Sequence, residues 1–202
     1  MGQVIGSEIV GGIVGSAGNF EIENSYNKGL ISASKIDESN GGGIAGIVFS
    51  GTLKKCYNSG EINGDEQIGG IVGQIGMDAE IYLNNCYNTG KVKTEDCVSG
   101  GIIGWVANTR TSGKVEKNYN IGQITGSRLV GGAIGRYEPK NCAIVFENNF
   151  TLDTVAPENE DFNILKSESE MKSNEFLNLL GKENWKMVSN KNNGYPMLNW
   201  QE

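Results

Sequence analysis

Histidine is absent from the 202-residue chain, and proline occurs only three times. The first absence removes imidazole-based zinc sites, HExxH proteases, Ser-His-Asp triads and Cys-His dyads together. Cysteine is sparse as well. Cys56, Cys86, Cys97 and Cys142 show no CxxC spacing, so they form neither a zinc knuckle nor a dithiol redox motif and read as small packing residues. Positive charge is in deficit: 17 Lys and Arg stand against 24 Asp and Glu, a net −7, which repels nucleic acid and anionic membrane surfaces alike. The opening MGQVIGSEIV has no basic segment and no long apolar run, and so predicts neither a signal peptide nor membrane insertion. What is plentiful is glycine, 30 residues or about 15% against a usual ~7%. Its spacing has no period of three, which excludes collagen. Twenty-four asparagines and 38% hydrophobic residues leave enough apolar side chain for a folded core.

The glycines mark a repeat. GGIVG at 11–15 recurs as GGIAG at 42–46, GGIVG at 69–73, GGIIG at 100–104 and GGAIG at 131–135. A second box follows each: NSYNKG from 24, KCYNSG from 55, NCYNTG from 85, KNYNIG from 117 and a degraded ENNFTL from 147. Its aromatic column, Tyr26, Tyr57, Tyr87, Tyr119 and Phe150, steps by 30 to 32 residues. The opening residues Gly2 to Val10 mirror Gly122 to Val130, so the chain enters its first coil part-way round.

Each repeat holds three short strand-like runs separated by glycine or asparagine, too short for helices. Three runs in about 31 residues predict one turn of a right-handed parallel β-helix, an all-β solenoid of about five coils. At ~4.8 Å per coil it would be a rod of roughly 24 Å. Ile22, Leu53, Leu83, Val115 and Phe146, four before the aromatic, read as core, and so do Ile31, Ile62, Val92, Ile124 and Val155, five after it. The column Asn27, Asn58, Asn88 and Asn120 predicts a ladder of stacked side-chain amides. The glycine box is apolar on both of its faces, which requires either a turn that brings both rows inward or a cover over the outer row.

At these boxes the chain resembles the GLUG-motif repeat family, whose pattern reads roughly GGLVG, an apolar residue, N-S/C-Y-x-x-G-x-V and GG again. The resemblance covers about residues 2–150. It implies a non-catalytic structural or adhesive module of bacterial secreted or cell-surface proteins, such as adhesin-like proteins and the non-catalytic parts of immunoglobulin A peptidases. Extracellular or surface localisation and a host protein or glycan as partner follow from the same resemblance. It carries over no catalytic residue, metal or cofactor.

The domain plan is a repeat region over 1–150, with repeats near 11–41, 42–68, 69–99, 100–130 and 131–155, then a different segment over 151–202. Only Gly181 and Gly194 among the glycines lie beyond 150. Met171, Phe176, Leu179 and Leu180 have helical spacing and predict a helix over about 169–180, stopped by Gly181. This segment reads as a cap that packs Phe176, Leu180, Trp185, Leu198 and Trp200 on the final coil or an adjacent outer face. Counting by two from Tyr57 aims the aromatic column outward, as a candidate binding stripe for sugar rings or a partner surface. The competing reading buries these rings. Self-association through coil ends or the apolar outer face is a further expectation.

Two weaker constellations complete the survey. Glu116 and Glu147, on consecutive coils, are the sole pair spaced for acid-base glycan cleavage, which keeps a carbohydrate-active β-helix enzyme as the alternative function. Their column, with Glu23, Lys54 and Asn84, looks like a solvated row. An acidic turn column runs through Glu8, Asp37, Glu38, Asp65, Glu66, Glu95 and Asp96 until Arg128 interrupts it, but lacks any DxDxDG loop that would fix calcium.

Overall fold

A coil of about thirty residues must close on itself, and the residues that bend it decide how many strands it holds. In the computed structural model, which describes residues 2–34, 39–95, 97–107, 110–137, 142–155 and 162–202, the repeat forms a parallel solenoid with five short strands per coil rather than three. One complete coil reads Ile62–Gly64, Gln67–Gly69, Val72–Ile75, Glu80–Asn84 and Tyr87–Asn88. The two extra breaks fall inside the two boxes. The glycine box bends after its first glycine, and the tyrosine box bends at Asn24, Lys55, Asn85, Lys117 and Asn148, whose φ lies between 50° and 55°. This left-handed corner suits asparagine.

Equivalent strands stack in parallel register, as in Leu53↔Leu83↔Val115↔Phe146. The result is five sheets of five strands, with a sixth strand on the tyrosine face, so four full turns separate the first and last strand of a face.

The bend in the glycine box turns both of its apolar rows inward. Ile44 and Ala45, Ile71 and Val72, Ile102 and Ile103, and Ala133 and Ile134 are all buried in one apolar column with Leu53, Leu83 and Val115. A second column holds Ile31, Ile62, Val92 and Ile124. Val155 does not join it, because the chain has already left the coil in a turn. The interior is pinched between the two columns, where the second glycine of each box meets the asparagine ladder from the opposite wall. A Cβ built on Gly43 would lie 2.7 Å from the Asn58 side chain, and one on Gly70 2.6 Å from that of Asn88. Gly12 against Asn27 and Gly101 against Asn120 repeat the contact. The two boxes share one register because they touch there.

The first coil pairs on one side only, and Val4, Ile5, Ile9 and Ile13 are exposed along it. At the other end, Phe162 packs edge-on against Tyr137 at 5.8 Å and Ile164–Lys166 adds the sixth strand to the tyrosine face. The chain then makes helix α1 (Glu168–Met171), helix α2 (Asn174–Leu180), and a two-stranded ribbon of Trp185–Lys186 with Met197–Leu198. The single helix expected over 169–180 is thus broken in two. Ser167 and Glu170 close a capping box on α1, and the Ser173 hydroxyl accepts from the Phe176 N–H to start α2 afresh. Gly181, at φ 98°, ends it. Among the described residues no helix is long and apolar enough to cross a membrane.

Candidate functional site

Two residues after each left-handed corner stands an aromatic, and repetition stacks those side chains into a column. Tyr26, Tyr57, Tyr87 and Tyr119 form a continuous stack with ring centroids 5.2, 5.1 and 5.0 Å apart and planes within 11° of parallel. Phe150 occupies the next register position.

The column does not form an exposed binding stripe. Residues after Lys166 cross it as a strap, and Tyr57, Tyr87, Tyr119 and Phe150 are buried while Tyr26 is 48% exposed. Three strap aromatics each clamp two rungs. Phe176 lies 5.0 Å from Phe150 and 6.1 Å from Tyr119, Trp185 5.5 Å from Tyr119 and 5.8 Å from Tyr87, and Trp200 5.9 Å from Tyr57 and 6.2 Å from Tyr26. The physical reason is area: a row of flat rings facing water is covered most economically by the chain's own apolar tail.

Polar groups fix the strap in register. The Trp185 Nε1–H donates to Asn85 Oδ1 at 2.9 Å and the Trp200 Nε1–H to the Lys55 carbonyl at 3.0 Å. The Tyr119 hydroxyl donates to the Pro196 carbonyl at 2.5 Å and accepts from Asn192 Nδ2 at 2.8 Å. Tyr87 and the Gln201 amide meet at 2.8 to 3.0 Å. Burial pushes both phenols, Tyr87 and Tyr119, well above the ordinary tyrosine pKa.

Beneath the tyrosines, Asn27, Asn58, Asn88 and Asn120 lie in one line. Each Nδ2 donates to the next Oδ1, at 2.8, 2.8 and 2.9 Å. Each amide also grips the glycine two residues on; Asn88 donates to the Gly90 carbonyl and accepts from its N–H. The column just before the aromatic carries a second polar stack that the sequence did not announce. Asn118 Nδ2 donates to Asn149 Oδ1 at 2.9 Å, and Asn118 Oδ1 accepts from the Cys86 N–H at 2.8 Å. Cys56 and Cys86 are buried free thiols in this column, and burial pushes the Cys86 thiol up. Mixed Ser, Cys and Asn at these positions hid the column.

The remaining candidates resolve into ion pairs. Glu116 and Glu147 sit in direct register, and Lys114 Nζ bridges them at 3.0 and 2.9 Å. Lys54 likewise joins Glu21 and Glu23 at 2.7 and 3.3 Å. Of the acidic turn column, Asp37, Glu38 and Asp96 lie outside the described residues; among the described ones no three potential ligands gather to hold a metal.

The strap itself was the element that sequence reasoning placed least well. Phe176, Trp185 and Trp200 are 9 and 15 residues apart, with no period to betray that they would bridge rungs about 5 Å apart.

Among curated proteins, none matches the chain significantly. Among solved structures, the chain is similar to a crystal structure described as a "putative immunoglobulin A1 protease from Bacteroides ovatus", with a TM-score of 0.66 and 20% identity over 97% of this chain. The chain spans 65% of that protein's length, and at this identity the likeness is one of fold. Residues 6–32 match the family model of the GLUG motif, and the same two boxes recur in register through the later coils.

Proposed function

We infer that this chain is a non-catalytic structural and adhesive module of a bacterial secreted or cell-surface protein, one that displays its surface to host protein or glycan. The observation that carries this reading is the sealed tyrosine column. The chain's largest aromatic surface is used to lock its own tail onto the rod, which is what a load-transmitting segment needs. The GLUG motif and the fold neighbour support an extracellular or surface setting. Self-association through coil ends would use the unpaired edge of the first coil, where Val4, Ile5, Ile9 and Ile13 are exposed. The net −7 disfavours nucleic acid.

The alternative, a carbohydrate-active enzyme, needs one carboxyl held protonated and a second one ionised. Here both carboxyl groups are engaged by the same ammonium, with Lys114 Nζ bridging Glu116 and Glu147 at 3.0 and 2.9 Å. Incubation with a panel of polysaccharides and assay of released reducing ends should show no cleavage. Reproducible cleavage lost on Glu116→Gln or Glu147→Gln would overturn the non-catalytic reading.

A further inference from the structure

Tyr26 is the rung that the strap leaves open, 48% exposed against 6% for Tyr57 and 2% for Tyr87. With Lys28, Ser59, Thr89, Lys191 and Trp200 it lines a groove of about 740 Å³ between the tyrosine face and the end of the strap. The floor is aromatic: Tyr26 lies flat on Tyr57, and the Trp200 ring meets it at 6.2 Å and 29°. The Lys28 ammonium stands 5.0 Å from the centre of the Tyr26 ring and 6.0 Å from that of Tyr57.

The polar groups of the groove divide into two sets. The Asn192 and Gln201 amides are committed to the strap, on Tyr119 and Tyr87. The rest are available. The Ser59 hydroxyl has no hydrogen bond among the described residues, the Thr89 hydroxyl has a long one of 3.5 Å to the Asn58 carbonyl, and neither Lys28 nor Lys191 has an ion-pair partner there. Among the described residues Glu202 is the one acid in the lining. Two ammonium groups without a carboxylate partner among the described residues, in a groove of a chain with net charge −7, form a local anion site. Beside Lys28 the half-exposed Tyr26 ring, one face of which lies on Tyr57, and the Trp200 ring offer aromatic surface for the C–H face of a pyranose, and the two hydroxyls suit its hydroxyl groups.

We propose that this groove binds an acidic oligosaccharide, with one sugar ring on Tyr26 and Trp200 and its carboxylates met by Lys28 and Lys191. The inference rests on the reading of the chain as a non-catalytic binding module and names the ligand class. It also replaces the five-rung stripe by a single bay at one end of the column.

The test is a glycan array of uronic- and sialic-acid oligosaccharides, each printed beside its neutral methyl ester, followed by titration of the best acid with tryptophan fluorescence. The acid should bind at least ~10-fold tighter than its ester, more weakly as salt rises, and Tyr26→Ala and Lys28→Ala should each weaken it by about 10-fold or more. The Lys28 side chain is exposed, so Lys28→Ala should keep the parent's melting temperature, whereas Tyr26→Ala removes a ring stacked on Tyr57 and Trp200 and should lower it somewhat; Glu202→Gln should tighten binding. Retention of no acidic glycan, equal retention of acid and ester, or unchanged affinity in both variants would overturn the proposal. Those results leave the non-catalytic reading standing, which only release of reducing ends would remove.

Discussion

At the residue scale the fold turns on the contact between a glycine that has no side chain and an asparagine that uses all of its own. The Asn88 side chain takes part in four hydrogen bonds, to Gly90 twice and to Asn58 and Asn120, while Gly70 leaves room for it from the facing wall. The donors matter as much as the shape. Asn88→Asp keeps the shape but sets carboxylate oxygens against the Gly90 carbonyl and Asn120 Oδ1, which should cost about 3 kcal/mol or more at pH 7. Burial raises the carboxyl's pKa in the folded state above the unfolded value of ~3.9. The part of the penalty due to ionisation is therefore absent below that value and grows as pH rises above it, while the one donor that a neutral carboxyl lacks relative to the amide is lost at every pH. Denaturant melts of the variant should accordingly show stability recovered in part near pH 4, where the parent gains nothing. A variant equally stable at both pH values would mean that the ladder bonds do not hold the coil.

At the element scale the strap is held by buried phenols as well as rings. Tyr119 is fully covered and its hydroxyl serves Pro196 and Asn192. Its folded pKa is raised by burial, so on alkaline titration the unfolded chain releases this proton first, at ~10. Stability from the neutral phenol is present below that pH and is lost as pH rises beyond it, by up to about 1.4 kcal/mol per pH unit per group. Tyr119→Phe should cost roughly 1 kcal/mol at pH 7 through loss of the hydroxyl's two hydrogen bonds, while Asn192 keeps the Pro196 carbonyl. It should also show a shallower loss of stability above pH 10 in denaturant melts. An unchanged alkaline slope would place this hydroxyl in water rather than under the strap.

The same elements show which structure could be read in advance. Tyrosine and asparagine columns were legible because stacking in a solenoid repeats one position per coil, and identity at that spacing survives in the sequence. The five-strand coil was not, because two of the corners are Lys55 and Lys117, and lysine carries little signal for a left-handed backbone. The split between α1 and α2 was present as Ser167 with Glu170, and then Ser173, but apolar spacing across Met171 and Phe176 outweighed it. The clamping pattern of the strap depends on docking to a surface made by four coils, and no local period encodes that.

At the scale of the whole molecule the two ends differ. Phe162 and the sixth strand cover part of the last coil, while in the first coil Val4, Ile5, Ile9 and Ile13 are exposed. Between them the strap runs the length of the tyrosine column, from Phe176 on Phe150 to Trp200 on Tyr26. Rod and tail should therefore open together rather than in sequence. Native-state hydrogen exchange, followed by mass spectrometry on the full chain, reads this directly. Amides of Leu177, Leu180, Trp185 and Leu198 should exchange within about tenfold of those of Tyr87 and Leu83 in the middle coils, as one cooperative unit. If the strap amides instead exchange several hundredfold faster while the coils stay protected, the tail is a loose appendage and the sealed column is contradicted.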